Sequence, residues 1–105
     1  MATFIKKAQT YAAFRYPNGN TACRINIYAA DGYRLYVVFK PDGSALPANS
    51  YNLAQKTGVA YEHDGHFQSY VDLLRNEDPV WVTFNEEAKT FVVYAAGEPV
   101  GEGEI

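Results

Sequence analysis

The chain has 105 residues, of which 48% are hydrophobic and 15% aromatic, and its formal net charge is −3. This length and composition indicate one globular domain and exclude a disordered or fibrous chain. The single cysteine, Cys23, excludes an intrachain disulfide framework. No stretch reaches the roughly 20 apolar residues of a membrane-spanning helix, and the N-terminus lacks the apolar run of a signal peptide. We therefore expect a soluble, cytoplasmic protein without a membrane partner.

The charge is divided unevenly along the chain. Residues 1–40 carry six basic side chains against one acidic side chain, a net charge of +5, and residues 41–105 carry three against eleven, a net charge of −8. Such asymmetry can mark a surface that binds a polyanion, or two halves that attract each other in the fold. The negative total argues against indiscriminate nucleic-acid binding.

The first predicted strand runs from Thr3 to Tyr16 and ends at a turn centred on Asn18-Gly19. Asn-Gly is the preferred pair for a two-residue type I′ hairpin turn, and the turn sets the register of the strands beside it. The predicted pairs are Phe14 with Cys23, Ala12 with Ile25, Thr10 with Ile27 and Ala8 with Ala29.

A second turn contains Asp31-Gly32. A three-residue loop with Gly32 in the left-handed conformation keeps the two faces of the next strand consistent, and it pairs Ile27 with Leu35. The resulting three-stranded meander has one apolar face, as expected of a half-buried antiparallel sheet. The predicted apolar face comprises Ala8, Ala12, Phe14, Cys23, Ile25, Ile27, Tyr33, Leu35, Val37 and Phe39. The other face is basic and tyrosine-rich, with Lys7, Tyr11, Arg15, Arg24, Asn26, Tyr28, Arg34, Tyr36 and Lys40.

The middle of the chain predicts short strands and then a helix. Residues 45–62 show brief alternation around a bend, which predicts one or two short strands. Asp64 is a suitable N-cap for a helix that ends near Asn76, before Pro79. Its apolar residues recur at helical spacing and form one stripe, so we expect the helix to pack on the inner face of the sheet. The stripe comprises Phe67, Tyr70, Val71 and Leu74.

A second hairpin is predicted from two runs, 80–84 and 90–96, joined by the four-residue loop 86–89. Its register pairs Trp81 with Tyr94 and Thr83 with Val92, so both faces of this hairpin are apolar or aromatic. That is unusual for a sheet with one solvated side. Either residues 45–62 or the helix cover the second face, or it remains exposed. Residues 97–105 are acidic and glycine-rich, and we expect a mobile tail after a single domain of residues 1–96.

These elements predict an α+β fold. We expect one antiparallel sheet of five or six strands, a meander followed by a C-terminal hairpin, with a single helix on its inner face. The alternative is a small OB-like barrel, because three meandering strands, a helix and a hairpin form an order that resembles the OB-fold layout. The resemblance concerns the layout of elements alone.

The sequence contains no catalytic signature. His63, Asp64 and His66 are weak candidates for metal ligands, because their spacing matches no known site and zinc needs three or four converging ligands. Cys23 is predicted to lie inside the sheet, which is more typical of a core residue than of a nucleophile. We therefore predict no catalytic residues, no cofactor and a binding role rather than an enzymatic one.

Three binding functions are consistent with the sequence. The first is assembly through protein contacts, most simply as a homodimer, with an interface formed by Trp81, Tyr94, Val92 and Thr83. The alternative is binding of single-stranded nucleic acid on the basic face. A second alternative is a small apolar ligand held between helix and sheet. The residues of the nucleic-acid alternative are Lys7, Tyr11, Arg15, Arg24, Tyr28, Arg34, Tyr36 and Lys40.

Overall fold

The computed structural model describes residues 3–15 and 23–96, which form seven strands and one α-helix. The strands form one sheet in the order β4-β5-β3-β2-β1-β6-β7, and it curls into a half-barrel around the core. The strands are β1 (Thr3–Phe14), β2 (Cys23–Ala29), β3 (Arg34–Lys40), β4 (Ser50–Asn52), β5 (Thr57–His63), β6 (Val80–Asn85) and β7 (Thr90–Ala95), and the helix is α1 (Phe67–Asn76).

The α+β class with a single helix is confirmed, but the sheet is mixed and larger than expected. It has seven strands instead of five or six, and β5 runs parallel to β3. The sequence predicted short strands within 45–62, but alternation carries no information about strand direction. Residues 41–49 lead into β4, which runs antiparallel to β5, and the turn at residues 53–56 then reverses the chain so that β5 lies between β4 and β3 and parallel to β3. The half-barrel shape is compatible with the barrel-like alternative.

Strand β1 forms the corner of the half-barrel. Residues 3–7 pair with β6, and residues 8–14 pair with β2. The ladder with β2 is irregular between Ala8 and Thr10, which places one additional residue, Gln9, in β1. A β-bulge bends its strand and increases the local twist, so one continuous strand serves both halves of the curled sheet.

The bulge overturns the predicted register of the first hairpin. Ala8 pairs with Ala29 as expected, but Phe14 pairs with Arg24 and Tyr11 with Ile27. A one-residue shift moves side chains to the opposite face of a strand. The prediction assumed a regular ladder from the turn to Ala8, so it missed this reversal. The Asn18-Gly19 turn lies outside the described residues.

The second turn and the C-terminal hairpin agree with the prediction. Ile27 pairs with Leu35, Gly32 has φ 81°, and the Ala29 N–H donates to the Tyr33 carbonyl at 2.8 Å. In the hairpin, Trp81 pairs with Tyr94 and Thr83 with Val92.

The helix covers one end of the inner face of the sheet. Phe67 is buried, and its ring meets that of Phe39 edge-on at 5.1 Å, while Tyr70 contacts the same ring at 5.6 Å. The predicted apolar stripe is confirmed, since Tyr70, Val71 and Leu74 also pack on the core. Asp64 is not the N-cap of the helix, because residues Asp64–His66 form a separate 3-10 turn before it.

The core is formed by the inner faces of the strands. The fully buried side chains of the core are Ile25, Ile27, Leu35, Val37, Phe39, Val82 and Phe84.

Within the described residues, no helix is long and apolar enough to cross a membrane.

Candidate interaction surfaces

The outer side of the C-terminal hairpin is a largely apolar and partly exposed surface. The cross-strand pairs place Ile5 beside Thr83 and Lys7 beside Trp81, so β1 extends the surface. Ile5 is 56% exposed and Val92 is 53% exposed. We call this surface the hairpin face, and it comprises Ile5, Lys7, Trp81, Thr83, Val92 and Tyr94.

Residues 45–62 pack on the inner side of the hairpin and leave the hairpin face open. The Tyr51 ring lies 6.2 Å from that of Phe84 and 6.4 Å from that of Phe91. Gly58 lies against Phe91, because a Cβ built on Gly58 would be 2.5 Å from Cε1 of that ring. The side chains of Val82 and Phe84 already belong to the core. The sequence left open whether residues 45–62 cover Trp81, and the structure places them on the other side.

Two polar atoms of the hairpin face have partners within the chain. The Trp81 indole Nε1–H donates to the Ala96 carbonyl at 3.3 Å. The Thr83 Oγ1 accepts from the Val92 N–H at 3.1 Å. Burying a polar group without a hydrogen-bond partner costs free energy. Because both atoms are already bonded within the chain, a partner that covers the indole ring does not incur that cost. The hairpin face can therefore be buried as a mainly apolar surface.

The outer side of the β1–β2–β3–β5 sheet is the second surface. The pairs Phe14–Arg24, Tyr28–Arg34 and Tyr36–Val59 place these side chains on one face. Of the eight residues of the nucleic-acid alternative, this face brings together five. We call this surface the basic-aromatic face, and it comprises Phe14, Arg24, Tyr28, Arg34, Tyr36, Lys40 and Tyr61.

Three of the predicted nucleic-acid residues lie elsewhere. Tyr11 points inward and packs on the core, because of the shifted register. Arg15 lies over the ring of Phe67, 5.1 Å from its centroid, at the helix. Lys7 belongs to the hairpin face.

Phe14 and Tyr61 are the residues that sequence reasoning missed on the basic-aromatic face. Phe14 was predicted to face the core, and only the bulge at Gln9 turns it outward. Tyr61 lies on this face because it pairs with Val38 in the parallel β3–β5 ladder. Neither feature leaves a local signal in the sequence.

The Arg24 guanidinium lies between two aromatic rings. Its carbon is 5.1 Å from the Phe14 ring centroid and 5.9 Å from that of Tyr36. Both distances are within the range of cation–π attraction. Beside it, Asn26 is only 7% exposed and donates from Nδ2 to the Tyr28 hydroxyl at 3.3 Å.

A groove adjoins this face at the β4–β5 edge. It has a volume of about 580 Å³. Tyr36 forms one wall, and the rest of the lining is largely neutral and polar. Its lining includes Ser50, Asn52, Gln55, Thr57 and Val59.

The weak metal candidates are part of a loop structure. The ring of His63 donates from Nε2 to the Ser44 carbonyl at 2.8 Å, and Asp42 accepts from the Gly65 N–H at 2.8 Å. Asp64 begins the 3-10 turn, and His66 ends it and is exposed. Within residues 3–15 and 23–96, no group of three or more His, Cys, Asp or Glu side chains could hold a metal ion.

Two further polar or nucleophilic side chains have structural surroundings. The Tyr70 hydroxyl donates to Glu62 at 3.0 Å, and burial together with this carboxylate raises the pKa of the Tyr70 phenol far above its usual range. Cys23 is 7% exposed and pairs with Phe39 in the core. These contacts explain Tyr70 and Cys23 as structural residues of the fold.

Comparisons of the chain with protein-family models, with curated proteins and with solved structures found no match. The chemistry of the two surfaces is therefore the basis for inferring a function.

Proposed function

We propose that this protein acts through protein–protein contacts and self-associates through the hairpin face. The observation that supports the proposal is that the β6–β7 hairpin is apolar on both sides, whereas its buried residues all lie on the inner side. Its inner side supplies Val80, Val82 and Phe84 to the interior. Its outer side is also apolar, with Ile5 and Val92 more than half exposed and Trp81 and Tyr94 partly exposed.

The composition of the hairpin face suits an interface. Trp81 and Tyr94 are adjacent cross-strand partners, and Trp and Tyr are the residues that most often anchor protein contacts. Ile5 and Val92 surround them with aliphatic surface that is more than half exposed. Burial of exposed apolar surface releases on the order of 25 cal/mol per Å², so a second copy of the same surface is a favourable partner.

The size of the face sets the expected strength. Three strand segments of five or six residues cover about 15 Å by 20 Å, whereas a standard stable interface buries about 800 Å² on each partner. The apolar centre is therefore smaller than a complete interface, and the contact must extend onto the polar rim. We expect a dimer that dissociates on dilution.

The charges at the two ends of the hairpin select an orientation. Lys7 lies beside Trp81 at the open end of the hairpin, whereas the loop 86–89 at its tip carries Glu86, Glu87 and Lys89, a formal net charge of −1. In a face-to-face dimer whose twofold axis runs across the strands, Lys7 of one copy lies against the hairpin tip of the other copy. An axis along the strands would place the two acidic tips together, which is less favourable.

The test is the solution mass measured by light scattering over protein concentrations of roughly 1 μM to 1 mM. Wild type is expected to approach twice its monomer mass as the concentration rises. Val92→Glu, at a site that is 53% exposed, should remain a folded monomer, and Trp81→Glu should do the same. The control is Leu53→Glu, which changes an exposed apolar residue outside the hairpin face and should leave the dimer intact.

A wild-type protein that is monomeric throughout this range contradicts the proposal, as does a dimer that survives Val92→Glu. The orientation has its own test. Lys7→Glu should weaken the dimer, and mixing it with the double variant Glu86→Lys/Glu87→Lys should restore association between the two. A failure of that rescue would reject the orientation while leaving the hairpin face as the interface.

A further inference from the structure

We propose that the basic-aromatic face binds single-stranded nucleic acid. This site is separate from the hairpin face, so the proposal does not depend on self-association. Its composition differs from the set that the sequence predicted, because Phe14 and Tyr61 join the face and Lys7, Tyr11 and Arg15 lie elsewhere.

The first support is the charge of the face. Arg24, Arg34 and Lys40 all lie on it, and none of its described strand residues carries a carboxylate. In a chain of net charge −3, this is a local concentration of positive charge. The partner with complementary charge is a polyanion, and phosphate contacts supply most of the non-specific affinity for nucleic acids.

The second support is the position of the aromatic rings among these cations. Phe14 and Tyr36 flank the Arg24 guanidinium at 5.1 and 5.9 Å, so rings and cation alternate across the strands. Phe14 is 36% exposed although it is a large apolar residue. Proteins that bind single strands combine cations that follow the backbone with rings on which bases stack.

The third support is a buried polar side chain on the same face, Asn26, which pairs with Tyr36 across the strands. The Asn26 side chain is only 7% exposed, and its Oδ1 has no hydrogen-bond partner in the protein, nor does the Nε of Arg24. Buried polar atoms nearly always have a partner. A ligand with donor and acceptor groups that displaces a neighbouring side chain would supply that partner.

The groove beside Tyr36 accommodates the edge of a stacked base. Its volume of about 580 Å³ lies within the range of ligand sites. The neutral side chains of Asn52 and Gln55 offer both donors and acceptors at this wall. A base stacked on Tyr36 would therefore lie next to side chains that can donate and accept hydrogen bonds.

The rings distinguish among polyanions. In a duplex the bases are already stacked on one another, so aromatic side chains reach them only in single strands. An acidic peptide would use the cations but would gain nothing from base stacking. The occupant that uses both features is a single strand.

The experiment is a fluorescence anisotropy titration with a labelled mixed-sequence single strand of about 15 nucleotides, as DNA and as RNA, at roughly 50 and 200 mM salt. Phe14→Ala and Tyr28→Ala should each weaken binding by roughly 5- to 150-fold, the equivalent of one lost stacking contact. Arg34→Ala should reduce the slope of log K against log salt by about 0.7.

The matched control is Arg75→Ala, which removes an exposed cation from α1 and should change neither affinity nor slope. Circular dichroism and thermal melting establish that each variant is folded. Absence of binding at the lower salt overturns the proposal. Three other outcomes also overturn it: equal weakening by Arg75→Ala and Phe14→Ala, competition by oligo-glutamate of equal charge as strongly as by the oligonucleotide, or equally tight binding of the matching duplex.

Discussion

The ring of Phe91 on β7 packs directly against the backbone of Gly58 on β5. A Cβ at Gly58 would lie 2.5 Å from Cε1 and 2.7 Å from Cζ of that ring. β7 is one edge of the sheet and β5 is the second strand from the other edge, so the contact joins the two sides of the half-barrel. Asn49 reinforces it by donating from Nδ2 to the Lys89 carbonyl at 3.1 Å.

We predict that Gly58→Ala destabilises the protein by about 1–3 kcal/mol, because overpacking forces the ring or the strand to move. Urea denaturation followed by fluorescence measures the loss. The double variant Gly58→Ala/Phe91→Leu should lose less than the sum of the two single variants, since residues in contact are not additive. If the losses of stability of the two single variants simply added in the double variant, Gly58 and Phe91 would not restrict each other's packing.

The second prediction compares the two faces of β3. Leu35 is 1% exposed in the core, so Leu35→Ala should cost about 2–5 kcal/mol of unfolding free energy. Val38→Ala, on the opposite face of the same strand, should cost about 1 kcal/mol or less. Chemical denaturation measures the loss of unfolding free energy in each variant. Equal losses would contradict the assignment of Leu35 to the core face of β3 and Val38 to the opposite face.

The third prediction tests the bulge in β1. Tyr11 packs on the core whereas Phe14 is 36% exposed. Tyr11→Ala should therefore destabilise by about 2 kcal/mol or more, and Phe14→Ala by about 1 kcal/mol or less, the scale of an exposed cation–π contact. Thermal melts of both variants give the comparison. The reverse order would support the regular register that the turn predicts and would remove Phe14 from the basic-aromatic face.

The fourth prediction concerns the Lys6–Asp31 ion pair, whose Nζ and Oδ2 are 2.8 Å apart. The hydrogen bond from Lys6 lowers the pKa of the Asp31 carboxyl and raises the pKa of the Lys6 ammonium. Because the pKa of Asp31 is lower in the folded state, its stabilisation is present above its unfolded pKa of about 3.9 and is lost as the pH falls through the folded value.

NMR titration of the side-chain carboxyl resonances should show Asp31 titrating below the usual range, and Lys6→Ala should shift its midpoint upward. Asp31→Asn should lower stability at pH values above about 4 and make no difference once the wild-type carboxyl is protonated. A midpoint for Asp31 that Lys6→Ala does not move would show that the pair is not formed in solution.

The sequence determined the elements whose signals are local. The periodic stripe from Phe67 to Leu74 predicted α1 and the side that packs, because helical spacing places those residues on one face. Gly32 and the four-residue loop 86–89 predicted the turns that set the β2–β3 and β6–β7 registers. The apolar outer side of the second hairpin, and hence Trp81 as an interface candidate, followed from the same pairing.

The tertiary structure decided what depends on distant parts of the chain. The bulge at Gln9 arises where β1 leaves β6 and joins β2, and no local signal marks it. It turned Tyr11 inward and Phe14 outward, which changed the membership of the basic-aromatic face. The parallel pairing of β5 with β3 depends on the path of the whole connection, residues 41–56, and alternation along a strand cannot show its direction. The position of Gly58 against Phe91 then decided which side of the hairpin is covered, because strands that are far apart in the sheet order come into contact only once the sheet has curled.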